Sequence, residues 1–131
     1  AEDVHNTALR TLVEGLVDLG LLMGDPDGLM ERGDYRHLYM HRTGHWLGLD
    51  VHDVGAYRLG ERPAALETGF VLTVEPGLYI SDRLAVPEGQ PEIDDRWKGI
   101  GIRIEDDVAV TEQGHEVLTH LAQKSVTAME R

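Results

Sequence analysis

Apolar residues recur every three or four positions from Ala1 to Leu22. This spacing places them on one face of a helix, and a stripe of that width is typical of a helix packed on a core. The turn residues Asp25–Gly28 end the pattern, because proline and glycine penalise helix continuation and aspartate favours a turn. A shorter second helix is predicted from about Asp27 to Leu38, with Gly33 as an interruption inside it.

The apolar pattern changes to that of strands further along the chain. Phe70–Val74 is rich in β-branched residues and is closed by Pro76-Gly77, after which Leu78–Ile80 resumes the apolar character. This predicts two strands or one bent strand. Ile100–Val110 opens with alternating apolar and polar or glycine positions and predicts a single strand. Its isoleucines lie on one face, and the other face carries Gly101, Arg103 and Glu105.

The remaining segments have no helical or strand period. Arg58–Thr68 is predicted to be a loop, and Ser81–Gly99, which is rich in charge, proline and glycine, an exposed loop. The turn Glu112–Gly114 followed by Glu116–Thr119 suggests a hairpin partner for the preceding strand. The last dozen residues are predicted to form a frayed helix.

Composition narrows the possible partners and the compartment. The 131 residues, 41% of them hydrophobic, suit one domain with a moderate core. A net charge of -12, from 24 acidic and 12 basic residues, disfavours nucleic acid and anionic membrane surfaces as partners. No apolar run approaches the ~18 residues of a membrane span. The absence of cysteine excludes disulfides and thiolate chemistry and fits a cytoplasmic protein, which is the expected location.

Candidate chemistry is concentrated between His41 and Gly55, where three of the seven histidines lie beside Asp50 and Asp53. Histidine is the commonest metal-binding side chain and titrates near neutral pH, so the cluster predicts a metal site with acid-base groups beside it. A glycine-rich loop that merely contains histidines is the alternative. The four histidines outside the motifs are expected on the surface: His5, His37, His115 and His120.

Two glutamates, Glu75 and Glu105, lie in or next to the predicted strands, where burying a carboxylate without a partner is energetically costly. One interpretation is that either glutamate lies on a solvated face or forms an ion pair with Arg103. The other interpretation is that histidine and carboxylates converge from separate strands. Together they would form a hard, oxygen-rich site of the kind that holds a pair of Mn, Co or Zn ions and activates water.

Three motifs, His45–Gly55, Thr73–Tyr79 and Gly99–Asp107, carry a resemblance that extends from the first helix to about Thr119. In residues, order and separation they resemble the metallopeptidase family of aminopeptidase P, prolidase and methionine aminopeptidase, which has the pita-bread fold. The likeness is greatest to Xaa-Pro aminopeptidases, and prolidases share the Arg-Ile-Glu segment. It implies an α+β fold, half of a pita-bread domain, with a mainly antiparallel sheet covered by about two helices.

The resemblance also implies roles for six residues. Glu105 would bridge two divalent metal ions, with His45 and Glu75 each binding one of them and Glu75 also accepting a proton. His41 and His52 match histidines that hydrogen-bond the substrate, and Arg103 matches an arginine that orients it. Manganese is the expected metal, with cobalt and zinc as alternatives.

One part of the family pattern is absent. The complete site needs two aspartates from strands upstream of the histidines, whereas the upstream aspartates of this chain lie on the predicted helix, in turns or in the second helical segment. Residues 1–131 are therefore expected to be the C-terminal part of a catalytic domain, a fragment of a longer parent protein. Alone, the chain is expected to be inactive, to be metal-free or to hold one ion loosely, and to self-associate as a homo-oligomer through an exposed sheet edge.

Three functions remain open from the sequence. The first is hydrolysis of the N-terminal Xaa-Pro bond of a proline-containing peptide by the parent protein. The second is an Xaa-Pro dipeptidase, and the third is a peptide-binding module on the same fold that has lost catalysis. Retention of all six matching residues favours an enzyme, because a binding module has no chemical need for them.

Overall fold

Helix α1 spans Glu2–Asp18 in the computed structural model, which describes residues 2–130. It buries Leu9, Val13 and Leu16, which lie three and four residues apart on one face. The helix ends before Gly20, whose φ of +74° is the left-handed conformation that commonly terminates helices. The predicted amphipathic helix is confirmed over the described residues but ends earlier than Leu22; Ala1 lies outside the described range.

Helix α2 spans Pro26–Arg32. The Asp25 carboxylate caps it by accepting a hydrogen bond from the Gly28 backbone N–H, and Pro26 occupies the first turn. Gly33, with φ +74°, is the C-cap. The prediction of a helix to Leu38 is therefore wrong beyond Arg32, because Gly33 ends the helix rather than interrupting it.

Seven short strands and a third helix follow within the described residues. They are β1 (Arg58–Leu59), β2 (Arg62–Pro63), β3 (Val71–Val74), β4 (Gly77–Tyr79), β5 (Gly101–Arg103), β6 (Asp106–Thr111), β7 (Gly114–Val117) and α3 (Val126–Met129). All pairings are antiparallel and form three sheets, in the orders β1-β2, β3-β6-β7 and β4-β5. The α+β class and the antiparallel pairing are confirmed, although the strands form three sheets rather than one. None of the helices in residues 2–130 is long and apolar enough to cross a bilayer.

The chain divides into two units. The helical unit comprises residues 3–43 and 76–103, and the sheet unit contains residues 44–75 and 104–130. The helical unit has the larger core, formed by Leu9, Val13, Leu16, Leu21, Leu22, Leu29, Leu38, Tyr39 and Ile80. Three apolar residues of the predicted loop Ser81–Gly99 pack on this core: Leu84, Ile93 and Trp97. That segment is therefore a loop, with a 3₁₀ turn at Asp95–Trp97, but it is only partly exposed because these three side chains pack on the core.

In the sheet unit, β6 is central and pairs with β3 on one side and β7 on the other. The predicted hairpin is confirmed: the turn at residues 112–113 leads into Gly114, and Thr111 pairs with Gly114. A small core forms around Trp46, which stacks on Tyr57 at 5.4 Å between ring centroids and contacts Phe70 edge-on at 5.3 Å.

The prediction of a loop over Arg58–Thr68 is wrong in its first half. Strands β1 and β2 form a hairpin there, with Arg58 opposite Pro63 and Gly60 in the turn at φ +65°. Two residues per strand are too few to show a period of two, so the sequence carries no strand pattern at this point.

The prediction of one strand from Ile100 to Val110 is also wrong. The strand breaks at Ile104 and Glu105, because β5 pairs with β4 whereas β6 pairs with β3. The alternating isoleucines do not form a buried face within the described residues, since Ile102 is 60% exposed.

Candidate metal centre

The segment His45–Leu47 runs antiparallel beside β3 and is joined to it by backbone hydrogen bonds. The Leu47 N–H donates to the Val71 carbonyl at 3.0 Å, and the Thr73 N–H donates to the His45 carbonyl at 2.9 Å. Gly44 precedes this segment, and a Cβ built on it would lie 1.8 Å from the Thr73 carbonyl oxygen. Only glycine fits where the two backbones approach so closely. The sequence thus fixes His45 against β3, the strand that Glu75 directly follows.

The orientation of the His45 ring follows from one contact. Its Nδ1 lies 3.0 Å from the Trp46 carbonyl oxygen, which can only accept, so Nδ1 carries the proton that is donated. In the neutral ring, Nε2 therefore has a lone pair. Nε2 lies 3.3 Å from Glu75 Oε1, and both side chains are less than one-fifth exposed, at 18% and 15%.

Two lone-pair atoms that face each other at this distance need a positive charge between them, either a proton on Nε2 or a cation. Ligand atoms about 2.0–2.2 Å from one divalent ion lie roughly 2.9–3.5 Å apart, which is the separation that the His45 and Glu75 atoms have. An imidazole nitrogen with a carboxylate oxygen is also a donor set suited to zinc, cobalt or manganese. The pair therefore fits a metal ion.

Two further predicted site residues, His52 and Glu105, lie in the sheet unit. The His52 ring is exposed and meets the His45 ring edge-on, with 4.3 Å between centroids. Glu105 is exposed in the break between β5 and β6, instead of on the polar face of a continuous strand beside Arg103. Within residues 2–130, no three histidine, aspartate or glutamate side chains gather into a group that could hold a metal ion. The structure thus pairs His45 with Glu75 and does not add Glu105 to them.

The last two predicted site residues, His41 and Arg103, belong to the helical unit. His41 Nδ1 donates to the Arg42 carbonyl at 2.7 Å, so its Nε2 accepts from the Tyr79 hydroxyl at 2.9 Å when the ring is neutral. Arg103 is exposed on β5, opposite Gly77 of β4. His41 is therefore held by groups on both of its nitrogens, and the Arg42 carbonyl sets which of them carries the proton.

Sequence reasoning missed three residues of this region. Gly44 and Thr73 hold His45 against β3, and Tyr79 holds His41. A signal for Thr73 was present, because residues two apart in a strand share a face and Thr73 stands two before Glu75. Gly44 and Tyr79 act through contacts that only the fold creates.

The histidines outside the motifs divide into two pairs. His115 and His120 are exposed, as predicted. The prediction is wrong for His5, whose Nδ1 bonds the Thr43 hydroxyl at 2.8 Å and also accepts from the Thr43 N–H. His37 is partly buried, and this burial lowers its pKa, against opposing effects of the Asp34 carbonyl and carboxylate.

One carboxylate next to Glu105 has a clear electrostatic environment. Asp106 accepts from the Lys124 ammonium at 2.7 Å and from the Thr119 hydroxyl at 2.6 Å. These two contacts, Lys124 first, lower the pKa of Asp106. The start of β6 thus carries an ionised carboxylate over the whole neutral range.

The metal-compatible pair and the three motifs around it agree with comparisons to known proteins. The chain belongs to metallopeptidase family M24, whose sequence model matches residues 1–112. Membership of this family implies divalent metal ions as cofactors. The family predicted from the motifs is confirmed.

Individual proteins of this family are also similar to this chain. The chain is 47% identical over 129 residues to the Xaa-Pro aminopeptidase of Haemophilus influenzae, covering 98% of this chain and 28% of that relative. With the Xaa-Pro aminopeptidase of Escherichia coli it shares 51% identity over 117 residues, 89% of this chain and 25% of the relative. The structure of Pseudomonas aeruginosa aminopeptidase PepP matches with a TM-score of 0.86 at 50% identity, over 96% of this chain and 27% of that one. The structural match confirms a part of the aminopeptidase P pita-bread fold, and the chain spans about a quarter of the length of these relatives.

Proposed function

We propose that this chain is the C-terminal part of the catalytic domain of a longer metallopeptidase, which removes the first residue of peptides with proline in second place. The observation that carries the proposal is the pairing of His45 Nε2 with Glu75 Oε1 at 3.3 Å, with the Nε2 lone pair fixed by the Trp46 carbonyl. The printed names of the relatives, Xaa-Pro aminopeptidases, support the choice of substrate.

In this proposal His45, Glu75 and Glu105 bind two divalent ions, of which manganese is the favoured identity. Bound divalent ions supply a Lewis acid and make water a nucleophile at neutral pH. The chain's own part is to hold the ligand atoms in an orientation that suits metal binding. The Trp46 carbonyl holds the His45 tautomer, and the Thr73 hydroxyl holds the Glu75 carboxylate at 2.8 Å. Glu75 is also the group that takes up a proton.

The remaining residues act on the substrate. His52, exposed beside the His45 ring, offers a ring N–H to a peptide oxygen. His41 acts on the substrate together with the Tyr79 hydroxyl, because its neutral ring already uses both nitrogens. Arg103, exposed on β5, presents a fixed positive charge to a substrate carboxylate.

Two finer expectations belong to the same proposal. The parent protein acts in the cytoplasm, which the absence of cysteine supports. It is also a homo-oligomer, and the isolated chain self-associates. The exposed side chains of Ile100 and Ile102 support this, because exposed apolar surface favours association. Light scattering of the isolated chain at increasing concentration tests the second point, and a monomer at every concentration would contradict it.

Metal binding is the first test. Mn²⁺ is titrated calorimetrically into the full-length product of the gene that encodes this chain. His45→Ala and Glu75→Gln are expected to weaken binding by more than the ~10–100-fold that loss of an outer hydrogen-bond partner costs. His120→Ala is the matched control, since His120 is exposed and its Nδ1 also bonds a backbone carbonyl at 3.0 Å. Equal Mn²⁺ affinity in all three variants would show that His45 and Glu75 do not bind the metal.

Substrate choice is the second test. The full-length protein with Mn²⁺ is expected to cleave Xaa-Pro-Yaa tripeptides, whereas the isolated 131 residues are not. Cleavage of Xaa-Pro dipeptides alone would indicate a dipeptidase. Metal binding without cleavage of either peptide would indicate a binding module. Turnover by the isolated chain at the full-length rate would show that the ligands are complete within it.

A further inference from the structure

Thr73 is a buried threonine between the two paired ligands. It lies in β3, is 2% exposed, and makes three hydrogen bonds towards the candidate metal centre. Its hydroxyl accepts from the His45 N–H at 3.0 Å and donates to Glu75 Oε1 at 2.8 Å, and its own N–H donates to the His45 carbonyl at 2.9 Å. One side chain thus touches the backbone of one ligand and the carboxylate of the other.

The direction of these bonds is fixed by the atoms present. A hydroxyl has one proton, and the His45 N–H can only donate, so the hydroxyl proton is available for Glu75. That bond engages one lone-pair direction of Oε1 and limits rotation of a side chain with several rotatable bonds.

We propose that Thr73 is the positioning residue of the candidate metal centre, setting the separation and orientation of His45 and Glu75 through its hydroxyl. The inference rests on the proposed function, because it assigns Thr73 to that site. Thr73 does not touch the cation or the substrate. It acts by keeping the His45 and Glu75 ligand atoms 3.3 Å apart before the cation arrives.

The chain offers a matched control in Thr119. Its hydroxyl also donates to a carboxylate, Asp106 Oδ1 at 2.6 Å, and also accepts from a backbone N–H, that of Asp107 at 3.0 Å. Asp106 is not one of the proposed ligands. Replacing Thr119 by valine therefore removes the same kinds of hydrogen bond from the same unit of the chain.

The experiment compares Thr73→Val, Thr73→Ser and Thr119→Val in the full-length protein. Calorimetric titration with Mn²⁺ measures the dissociation constant, urea unfolding measures stability, and kcat and KM are taken at saturating Mn²⁺. Thr73→Val is expected to weaken Mn²⁺ binding ~10–100-fold, whereas Thr73→Ser keeps the hydroxyl and binds as the unsubstituted protein does. KM for the peptide should stay constant. Thr119→Val should lose stability without losing Mn²⁺ affinity.

Two results would overturn the inference while leaving the proposed function intact. One is Thr73→Val binding Mn²⁺ as tightly as the unsubstituted protein, with Mn²⁺-dependent cleavage retained. The other is an equal loss of affinity in Thr73→Val and Thr119→Val, which would assign the effect to stability alone. Failure of the unsubstituted protein to bind Mn²⁺ would overturn both proposals.

Discussion

Replacing Gly44 by alanine tests the close approach on which the candidate metal centre depends. The added Cβ would lie 1.8 Å from the Thr73 carbonyl oxygen and 2.8 Å from its carbonyl carbon. Both atoms belong to the backbone, so no side-chain rotation relieves the contact. Non-bonded atoms prefer separations of about 3.5–4.0 Å, so the two segments must move apart by more than about 1 Å.

The size of the effect follows from what such a movement breaks. Overpacking costs about 1–3 kcal/mol. The two hydrogen bonds between His45 and Thr73 contribute about 0.5–1.5 kcal/mol each. The expected loss of unfolding free energy is therefore about 2–6 kcal/mol, a large part of the roughly 5–15 kcal/mol of a typical domain. Displacing His45 by this distance should also weaken metal binding, because ligand atoms must meet the ion within tenths of an ångström.

Urea unfolding followed by circular dichroism measures the first effect, and Mn²⁺ calorimetry the second. Gly15→Ala is the control with the same chemical change. Gly15 lies inside α1, and nothing lies within 4 Å of a Cβ placed there. That variant should gain about 0.5–1 kcal/mol, since alanine favours a helix over glycine. Unchanged stability and Mn²⁺ affinity in Gly44→Ala would refute the contact.

Three other substitutions have defined outcomes. Tyr79→Phe removes the hydroxyl that donates to His41 Nε2; the full-length protein should lose about 1 kcal/mol of transition-state stabilisation, roughly fivefold in kcat/KM. Lys124→Met removes the main cause of the lowered pKa of Asp106. Because the ionised carboxylate stabilises the fold above about pH 4, this variant should be less stable at pH 7, and the difference should shrink as the pH falls below 4 in urea titrations. His37→Leu should reduce the loss of stability as the pH falls below about 6.5, since burial lowers the pKa of His37 and protonation favours the unfolded chain; an unchanged dependence of the unfolding free energy on pH would contradict this.

The helices were predictable because their signals are local. The spacing of Leu9, Val13 and Leu16 alone indicates a buried face, and the structure confirms it. The ends were less certain. Gly33 is compatible with a helix interior at a modest energetic cost, and only its φ of +74° shows that it is a C-cap.

The strand break at Ile104 and Glu105 was not predictable from the sequence. The positions that carry Ile100, Ile102 and Ile104 continue at the same spacing through Asp106 to Val108 and Val110, so the pattern shows a polar position inside β6 but no stop at Ile104 and Glu105. The break depends on pairing, because β5 and β6 choose different partner strands. Strand pairing depends on residues that are far apart in the chain, whereas the apolar period of a segment reflects only its local sequence.

The residues of the candidate site also divide into those that the sequence alone indicates and those whose role only the fold shows. His45 and Glu75 stand out in the sequence because histidine is unusual among glycines and a glutamate is costly at the end of an apolar segment if it is buried. Thr73 does not, because threonine in a strand is what β-propensity alone favours. Its hydroxyl acquires a role only when the fold brings the His45 backbone alongside.

In both His41 and His45, Nδ1 donates to the carbonyl of the very next residue, Arg42 and Trp46. The group that selects the tautomer is thus part of the main chain and is present whatever side chain follows the histidine. Arg42, which is exposed, can change in the course of sequence drift without altering the direction in which His41 presents its other nitrogen. The backbone conformation therefore sets the orientation of both histidines, and a design that transplants this segment with its backbone conformation should keep that orientation.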